Sequence, residues 1–417
     1  MRLQKELLPA IQPSFESQDQ CSIRPSWRIM PPAEKWTTMT SDPFESTINV
    51  TKPTLPSLDQ FTGLLEQIWD AAWLTNNGVQ VQQLEHRLKE YLGVPYLSTT
   101  CNGTLSLLLA LKAVGLKSGS VVTTPFTFPA TVSALDWLGF RPIFADVERA
   151  TGNIDPLSVA ERIEKDTVAV LAVHVYGNPC DNGGLLDVCR TRGLKLIYDA
   201  AHAFGVKVDG ESVLCWGDAS SLSFHATKLY STVEGGAVVT SDEEVSSQVQ
   251  MLRNFGILDE ETVVVPGINA KMNELQAAYG HLRLNDIDEE IDRRAQVAEA
   301  YDRILKETEG IYPIPQKTNV DQNHSYYPIR VVPSEFSQNR NQLKSFLESF
   351  NVNTRKYFYP LCSRIPAFQG FDTARAAALP NAHALEAEVL CLPIFGELPV
   401  TSATRIAELI HSAGRRS

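Results

Sequence analysis

The stretch TVAVLAVHVYGNPCDNGGLLDVCRTRGLKLIYDAAH, Thr167–His202, contains two apolar runs separated by a helix-like segment. The runs TVAVLAV and LKLIYD are continuously apolar and rich in β-branched residues, which is typical of strands buried on both faces. Two such strands joined by a helix form the repeating unit of a parallel sheet. The stretch therefore predicts a mainly parallel sheet covered by helices on both sides.

The same alternation continues on both sides of this stretch. Further strand-like runs are VVTTPFTF, RPIFADV, SSLSFHA and GGAVVTS, with helix-like segments such as PATVSALDWLG and DPLSVAERIEK between them. The pattern predicts an α/β fold, with a large domain over residues 53–289. The long charged helix IDEEIDRRAQVAEAYDRILKE and the mixed elements after it predict a smaller C-terminal α/β domain, residues 290–417. Residues 1–52, rich in Pro, Ser, Thr and Gln without periodicity, predict a poorly ordered extension.

Composition excludes several classes of protein. With 37 Lys and Arg against 49 Asp and Glu, the formal charge of -12 argues against binding to nucleic acid, which needs a basic face. The seven cysteines are odd in number and without a CxxC pair, so neither a disulfide framework nor a metal site is expected. No window approaches the roughly 18 apolar residues of a membrane span. We expect a soluble, cytoplasmic protein.

Three kinds of chemical group are predicted to meet at one edge of the sheet. Asp199 closes a strand, Lys228 follows another strand, and Asn102, Gly103 and Thr104 open the apolar helix TLSLLLALKAVGL. In open α/β sheets, ligands bind beyond the carboxyl ends of the strands. A helix N-terminus with exposed N–H groups suits a phosphate, and a buried carboxylate needs a cationic partner.

Each feature alone has an ordinary explanation. Asn102 can be a plain helix N-cap, Asp199 can cap a helix starting at Ala200, and Lys228 can be a solvated residue near a turn. Their combination matches pyridoxal 5'-phosphate, which needs a lysine for a Schiff base, a carboxylate at its ring nitrogen and a helix terminus at its phosphate. The chain has no GxGxxG after a strand and no GxxxxGK[ST], so dinucleotide and P-loop sites lack their fingerprints.

Seven runs, in order along the chain, resemble the DegT/DnrJ/EryC1/StrS family of sugar aminotransferases. They are TTCNGTLSLLLAL, TTPFTFPATVSAL, VHVYGNPCD, YDAAHAFG, SFHATKLYSTVEGGAVV, PGINAKMNELQAA and RKYFYPL. The resemblance covers residues 53 to 412. It implies the aspartate-aminotransferase type of fold (fold type I) with a seven-stranded sheet, pyridoxal 5'-phosphate as cofactor, and a homodimer with shared active sites.

The resemblance also assigns roles to the cofactor residues. Lys228 would be the Schiff-base lysine and would later move a proton, and Asp199 would pair with the ring nitrogen. The cofactor phosphate would be bound by Gly103, Thr104 and Ser223, the last of which lies five residues before the lysine as in the family pattern.

Three further cofactor contacts follow from the resemblance. Phe128 would lie against the cofactor ring by aromatic stacking. His202 stands where many relatives have Gln, so it would either bond the ring hydroxyl or be a structural histidine. Asn269 would reach the phosphate from the neighbouring subunit, which makes each active site a property of a dimer.

The implied reaction moves an amino group from L-glutamate to the ketone of a nucleotide-linked sugar and releases 2-oxoglutarate. The candidates for binding the sugar nucleotide lie in NTRKYFYPL: Arg355, Lys356, Tyr357 and Tyr359. Relatives often have two arginines here, and Lys356 departs from that pattern, with loss of bidentate geometry. The alternative for all four is that they are ordinary strand residues of the second domain.

The runs look closest to members that aminate C4 of dTDP-4-keto-6-deoxy-D-glucose, giving dTDP-4-amino-4,6-dideoxy-D-glucose. Amination at C3 of a dTDP-keto sugar and amination of a UDP or GDP sugar stay open as alternatives. So does a non-catalytic, cofactor-binding regulatory protein. Relatives that dehydrate instead of transaminating have His in place of the lysine, whereas this chain has Lys228.

Overall fold

The structure is a computed structural model and describes residues 42–315 and 317–414. Within these ranges the strands are β1 Tyr96–Thr100, β2 Ser120–Thr123, β3 Arg141–Phe144, β4 Thr167–Val173, β5 Lys195–Asp199, β6 Lys207–Val208, β7 Glu211–Ser212, β8 Ala219–Ser223, β9 Gly236–Thr240, β10 Ile311–Pro313, β11 Val320–Asp321, β12 Tyr327–Val331 and β13 Val389–Leu392. The α-helices are α1 Leu58–Ala71, α2 Val79–Leu92, α3 Gly103–Ala113, α4 Pro129–Trp137, α5 Pro156–Arg162, α6 Asn182–Arg192, α7 Glu243–Leu252, α8 Glu274–Asn285, α9 Ile287–Leu305, α10 Pro333–Phe336, α11 Arg340–Glu348, α12 Pro380–Glu388 and α13 Val400–Gly414.

Seven of these strands form the central sheet, in the order β1-β9-β8-β5-β4-β2-β3. Only β9 runs antiparallel to its neighbours, and the other adjacent pairs are parallel. The predicted α/β fold with a mainly parallel seven-stranded sheet is confirmed. The quoted stretch supplies β4, α6 and β5, and β4 and β5 pair in parallel from Ala169 with Lys195 to Val173 with Asp199.

Local sequence explains where the connecting helix begins and ends. The Asp181 carboxylate accepts a hydrogen bond from the N–H of Gly184 (3.1 Å) and caps the start of α6. Gly193 ends this helix in the left-handed region (φ 66°), which glycine adopts without steric cost. The chain then enters β5 directly, so Asp199 is placed at the carboxyl end of a central strand.

The two faces of the sheet are buried against different helices. Leu171 and Ile197 point to the side covered by α3, α4 and α7, whereas Val170 and Leu196 point to the side covered by α5 and α6. All four side chains are buried, and each contributes about 1.5–3 kcal/mol to stability through loss of contact with water. Burial on both faces is the physical reason for the continuous apolar runs.

A second sheet, β10-β12-β13, is antiparallel and lies in the C-terminal part of the chain. Its inner face packs with α9, α11 and α13 through buried side chains such as Tyr301, Ile329, Leu343 and Ile406. The described residues from Pro43 onward cluster as one compact unit. The predicted domain boundary at residues 289 and 290 falls in the first turn of α9 and stays a prediction.

Residues 1–41, most of the predicted N-terminal extension, lie outside the described residues. The described end of this extension, residues 42–52, packs on the C-terminal portion of the chain. Ile48 forms a parallel bridge with Val352, and the carbonyl oxygen of Val50 accepts a hydrogen bond from the N–H of Ile394 (3.0 Å).

Among the helices that the structure describes, none is both long enough and apolar enough to cross a lipid bilayer.

Candidate active site

A cavity of about 710 Å³ opens beyond the carboxyl ends of the central strands. Strand β5 ends at Asp199, β8 ends at Ser223, and the turn after β1 leads into Gly103 at the start of α3. All three residues line the cavity, together with Lys228. The parallel direction of β1, β5 and β8 brings residues from distant parts of the chain to one edge of the sheet.

Lys228 lies in the loop between β8 and β9 and points into this cavity. The loop is held by backbone hydrogen bonds, including those from Phe224 N–H to the Gly235 carbonyl (2.8 Å) and from Ala226 N–H to the Val233 carbonyl (2.8 Å). Burial lowers the pKa of the Lys228 amine to about 8, and the negative charge of Asp199 opposes this shift. Lys228 is half-buried and lines the cavity, which argues against a fully solvated lysine near a turn.

Asp199 is buried, with 6% of its surface exposed. Its Oδ2 accepts a hydrogen bond from the hydroxyl of Thr131 (2.7 Å), and its Oδ1 accepts one from the N–H of Ala201 (3.1 Å). Burial raises the pKa of this carboxyl, whereas both hydrogen bonds and the charge of Lys228 lower it. Residues 200–206 are turns and irregular backbone, and no helix begins there, so the alternative that Asp199 caps a helix is wrong.

The start of α3 and the end of β8 approach each other closely. Asn102 caps the helix, because its side-chain oxygen accepts a hydrogen bond from the N–H of Leu105 (2.9 Å). The N–H groups of Gly103 and Thr104 belong to the first turn, where no intrahelical acceptor is in reach. A Cβ atom on Gly103 would lie 2.7 Å from the Cβ of Ser223, so only glycine fits against that strand end. Backbone donors and the hydroxyl of Ser223 thus form a narrow cradle suited to a phosphate.

His202 lines the cavity beside Asp199 and is neutral, since burial holds its pKa well below the ordinary value. Its Nδ1 accepts a hydrogen bond from the backbone N–H of Tyr176 (3.2 Å). The proton of the neutral ring must then be on Nε2. The ring stacks on Phe358, with centroids 5.9 Å apart and planes at 2°. His202 therefore has a fixed orientation and offers an N–H donor.

One wall of the cavity is apolar. Phe128, at the end of the loop before α4, lines the cavity with 58% of its surface exposed. Leu105 and Leu108 from α3 and Trp137 from α4 extend this wall. The exposed face of Phe128 can accept a flat ring by stacking.

The segment NTRKYFYPL, residues 353–361, was predicted to supply four substrate contacts, and the structure brings one of them to the cavity. Tyr357 lines the cavity, as does Phe358, which was not predicted from the sequence. Arg355 is exposed and forms a β-bridge with Cys391.

The remaining two candidates form a separate group. The Nζ of Lys356 lies 4.2 Å from the ring centroid of Tyr359, and Arg340 also lies near that ring at 5.5 Å. Neither Lys356 nor Tyr359 is part of the cavity wall. Beyond the bridge at Arg355 the segment is not a regular strand, which is why the neighbours Tyr357 and Phe358 both face the cavity.

Asn269 does not line the cavity of its own chain. It is exposed and forms an antiparallel bridge with Asn254. Its neighbour Ala270 accepts a hydrogen bond from the N–H of Cys101 (2.9 Å), so this segment lies behind the start of α3. The role of Asn269 in a partner's site stays a prediction.

Two contacts in the site were not predicted from the sequence. Thr131, in the first turn of α4, bonds the carboxylate of Asp199, and the hydroxyl of Tyr326 accepts a hydrogen bond from the Nζ of Lys228 (3.3 Å). Thr131 lies in the run PFTFPATVSAL, whose Thr and Ser hydroxyls are a weak signal for a contact with a strand end. No local sequence pattern identifies Tyr326.

A sequence profile of the DegT/DnrJ/EryC1/StrS aminotransferase family matches residues 58–411. A dTDP-4-amino-4,6-dideoxy-D-glucose transaminase of Shigella dysenteriae is 43% identical over 85% of this chain and 95% of its own. An enzyme of the same name from Escherichia coli is 40% identical over 88% of this chain and 98% of its own. The solved structure of DesI in the presence of its TDP-sugar product is 35% identical, with a TM-score of 0.85 over 90% of this chain and 95% of that chain.

Proposed function

The chain belongs to the DegT/DnrJ/EryC1/StrS aminotransferase family, and from this premise we propose that it aminates C4 of dTDP-4-keto-6-deoxy-D-glucose. The amino donor is L-glutamate, and the products are dTDP-4-amino-4,6-dideoxy-D-glucose and 2-oxoglutarate. The observation that carries this proposal is the 43% identity to a transaminase with that product name over 95% of the relative's length. The presence of Lys228 and the buried Asp199 in the wall of one cavity supports it.

The residues of the cavity fit pyridoxal 5'-phosphate. The cradle between Gly103 and Ser223 would hold the phosphate, because it combines helix N–H groups with a hydroxyl and admits no Cβ. Asp199, held by Thr131, would face the ring nitrogen. Phe128 would stack on the ring, on the apolar side of the cavity.

The bound cofactor supplies an aldehyde that exchanges between amines and a ring that withdraws electrons from the attached carbon. Asp199 would stabilise a positive charge on the ring nitrogen, because opposite charges attract strongly in a buried site. The Nε2–H of His202 would be available to donate a hydrogen bond to the ring hydroxyl, because Nδ1 already accepts one from Tyr176.

Lys228 is both the attachment point of the cofactor and the group that moves a proton. Its amine has a pKa of about 8, so near neutral pH it can take up a proton and give it back without a large free-energy difference. Both half-reactions need this exchange, first at the carbon of the amino donor and then at the sugar carbon. A single lysine serves both because only one substrate occupies the cavity at a time.

We also propose a homodimer in which Asn269 completes the partner's site. Apolar side chains are exposed at the end of α1 and in the segment 255–268: Trp69, Trp73, Leu74, Phe255, Ile257, Leu258, Val263, Val264 and Ile268. Exposed groups of this size mark protein interfaces. Asn269 directly follows this segment. Scattered cysteines without a pairing pattern support a reducing, cytoplasmic location.

Regiochemistry is tested by offering the purified enzyme dTDP-4-keto-6-deoxy-D-glucose and its 3-keto isomer separately, each with L-glutamate. Mass spectrometry and NMR of the product identify the aminated carbon. We expect amination at C4 from the 4-keto sugar. Exclusive amination of the 3-keto isomer, or activity only with UDP or GDP sugars, would show that the proposed substrate is wrong. Cofactor binding without any response to amino donors would support a regulatory protein instead.

A further inference from the structure

Lys228 has one hydrogen-bond partner for its amine within the described ranges, the phenolic oxygen of Tyr326 at 3.3 Å. In the same ranges the amine has no ion-pair partner, although the charge of Asp199 acts on it through space. The two residues are 98 positions apart, and Tyr326 reaches the cavity from the segment just before β12. The contact is therefore built by the tertiary fold.

The segment that carries Tyr326 is anchored to the loop after Asp199. The side-chain N–H₂ of Asn323 donates hydrogen bonds to the carbonyl oxygens of His202 (2.8 Å) and Phe204 (2.9 Å). The hydroxyl of Ser325 donates to the same His202 carbonyl (3.2 Å). Asn323 is 1% exposed, so these bonds are shielded from water. The backbone of Tyr326 is thus fixed relative to the cofactor side of the cavity.

The ring of Tyr326 is fixed by aromatic neighbours on three sides. Its centroid lies 4.7 Å from that of His202, 5.8 Å from that of Tyr357 and 5.9 Å from that of Tyr176. A ring packed in this way has few alternative rotamers, so its hydroxyl stays in reach of the lysine.

We propose that Tyr326 is a positioning residue, which holds the Nζ of Lys228 at one place in the cavity in both the protonated and the neutral state of the amine. This inference rests on the proposed function, in which Lys228 alternates between these two states. A phenol oxygen accepts a hydrogen bond from an ammonium group, and the phenol proton can be donated to the lone pair of a neutral amine. A carboxylate would favour the charged amine over the neutral one more strongly, because it pairs with the ammonium charge.

The surroundings favour this role. Burial raises the pKa of the Tyr326 phenol, so the hydroxyl keeps its proton and does not act as a base. The titratable groups that line the cavity with the lysine are Asp199, His202, His225, Glu234, Tyr326 and Tyr357. Of these, Tyr326 is the one that contacts Nζ directly.

The test compares the wild type with Tyr326→Phe, both as apo-protein. The substitution removes the hydroxyl and keeps the ring. Trace acetylation with acetic anhydride between about pH 6 and 11, read for Lys228 by peptide mass spectrometry, gives the pKa of this one amine. We expect the pKa of Lys228 to be lower by about 1 in Tyr326→Phe, because hydrogen bonds to the charged form are the stronger ones. Tyr176→Phe removes a hydroxyl from the same aromatic group without touching Lys228 and should leave this pKa unchanged.

A kinetic experiment on enzyme with bound pyridoxal 5'-phosphate separates an effect on positioning from an effect on substrate binding. Tyr326→Phe should lower kcat by roughly 10–100-fold, leave the KM for L-glutamate unchanged, and increase the isotope effect with 2-deuterated glutamate, because proton transfer becomes slower. An unchanged pKa of Lys228 in folded Tyr326→Phe would overturn the inference whatever the activity. If that variant does not fold, Ser325→Ala, which loosens the anchor, should shift the same pKa in the same direction, and no shift there would overturn it as well.

Discussion

Gly103→Ala tests the phosphate cradle, because the substitution adds one carbon at the point where α3 meets β8. The new Cβ would lie 2.7 Å from the Cβ, 2.9 Å from the Oγ and 3.1 Å from the Cα of Ser223. Ordinary contacts between such atoms are at about 3.4–4 Å. The Cβ and Cα of Ser223 cannot move away without the strand end. The two elements must therefore separate by about 1 Å.

The expected magnitude follows from this separation. Overpacking of a well-packed site costs about 1–3 kcal/mol. A shift of about 1 Å lengthens the hydrogen bonds of the cradle from about 2.9 Å to nearly 4 Å, where they no longer hold a phosphate. If most of this cost falls on the bound state, the affinity for the cofactor phosphate falls by about 10–100-fold, since 1.4 kcal/mol corresponds to a factor of ten.

The assay measures the Kd of apo-protein for pyridoxamine 5'-phosphate, which carries the phosphate but lacks the aldehyde that would react with Lys228. Gly63→Ala is the matched control, because a Cβ at Gly63, on α1, would meet no atom within 4 Å. Its Kd should equal that of the wild type, and its Tm should be equal or higher, since alanine favours a helix over glycine by about 1 kcal/mol. A Kd of Gly103→Ala within about twofold of the wild type would refute the reasoning, because the close contact would then have no consequence for the phosphate.

Three further predictions concern the charges and the assembly. Asp199→Asn should lower kcat by about 10²–10³-fold, because the amide cannot stabilise a positive ring nitrogen; steady-state kinetics with L-glutamate checks this, and near wild-type turnover would contradict it. In apo-protein the pKa of Lys228 is lowered from its ordinary value of 10.5 to about 8. Between pH 8 and pH 10.5 the unfolded chain therefore binds more protons than the folded chain. The free energy of unfolding should then rise with pH in the wild type by comparison with Lys228→Met. Urea unfolding of both proteins at several pH values measures this difference, and a constant difference from pH 7 to 10.5 would argue against a buried amine. Finally, Lys228→Ala and Asn269→Ala subunits, each inactive alone, should regain activity when mixed as heterodimers through one restored site; sedimentation showing an active monomer would rule this out.

Residues at the ends of regular elements were predictable from the sequence. Asp199 and Ser223 close continuous apolar strands, and Gly103 opens a helix, so the sheet topology alone brings them to one edge. The position of Lys228 was predictable for the same reason, because only a short stretch of loop separates it from the end of β8. These residues are specified by short stretches of chain whose patterns are strong.

Residues that reach the site from distant segments could not be predicted in this way. Thr131 bonds a carboxylate 68 positions further along the chain, and Tyr326 contacts a lysine 98 positions before it. Such contacts depend on how helices and loops pack, which leaves no periodic signal. Tyr357 and Phe358 show a related difficulty: a strand would turn them to opposite sides, but the segment is irregular and both line the cavity.

The most direct test of the central claim is to locate the cofactor on the chain and to see whether an amino donor removes it. Protein loaded with pyridoxal 5'-phosphate is reduced with borohydride, which fixes any lysine–cofactor bond, and is then digested and analysed by mass spectrometry. We predict the adduct on Lys228, its loss after preincubation with L-glutamate, and an unchanged pattern in Lys165→Ala, where an exposed lysine has been removed. An adduct on another lysine, or an adduct on Lys228 that L-glutamate does not diminish, would contradict an aminotransferase that works through Lys228.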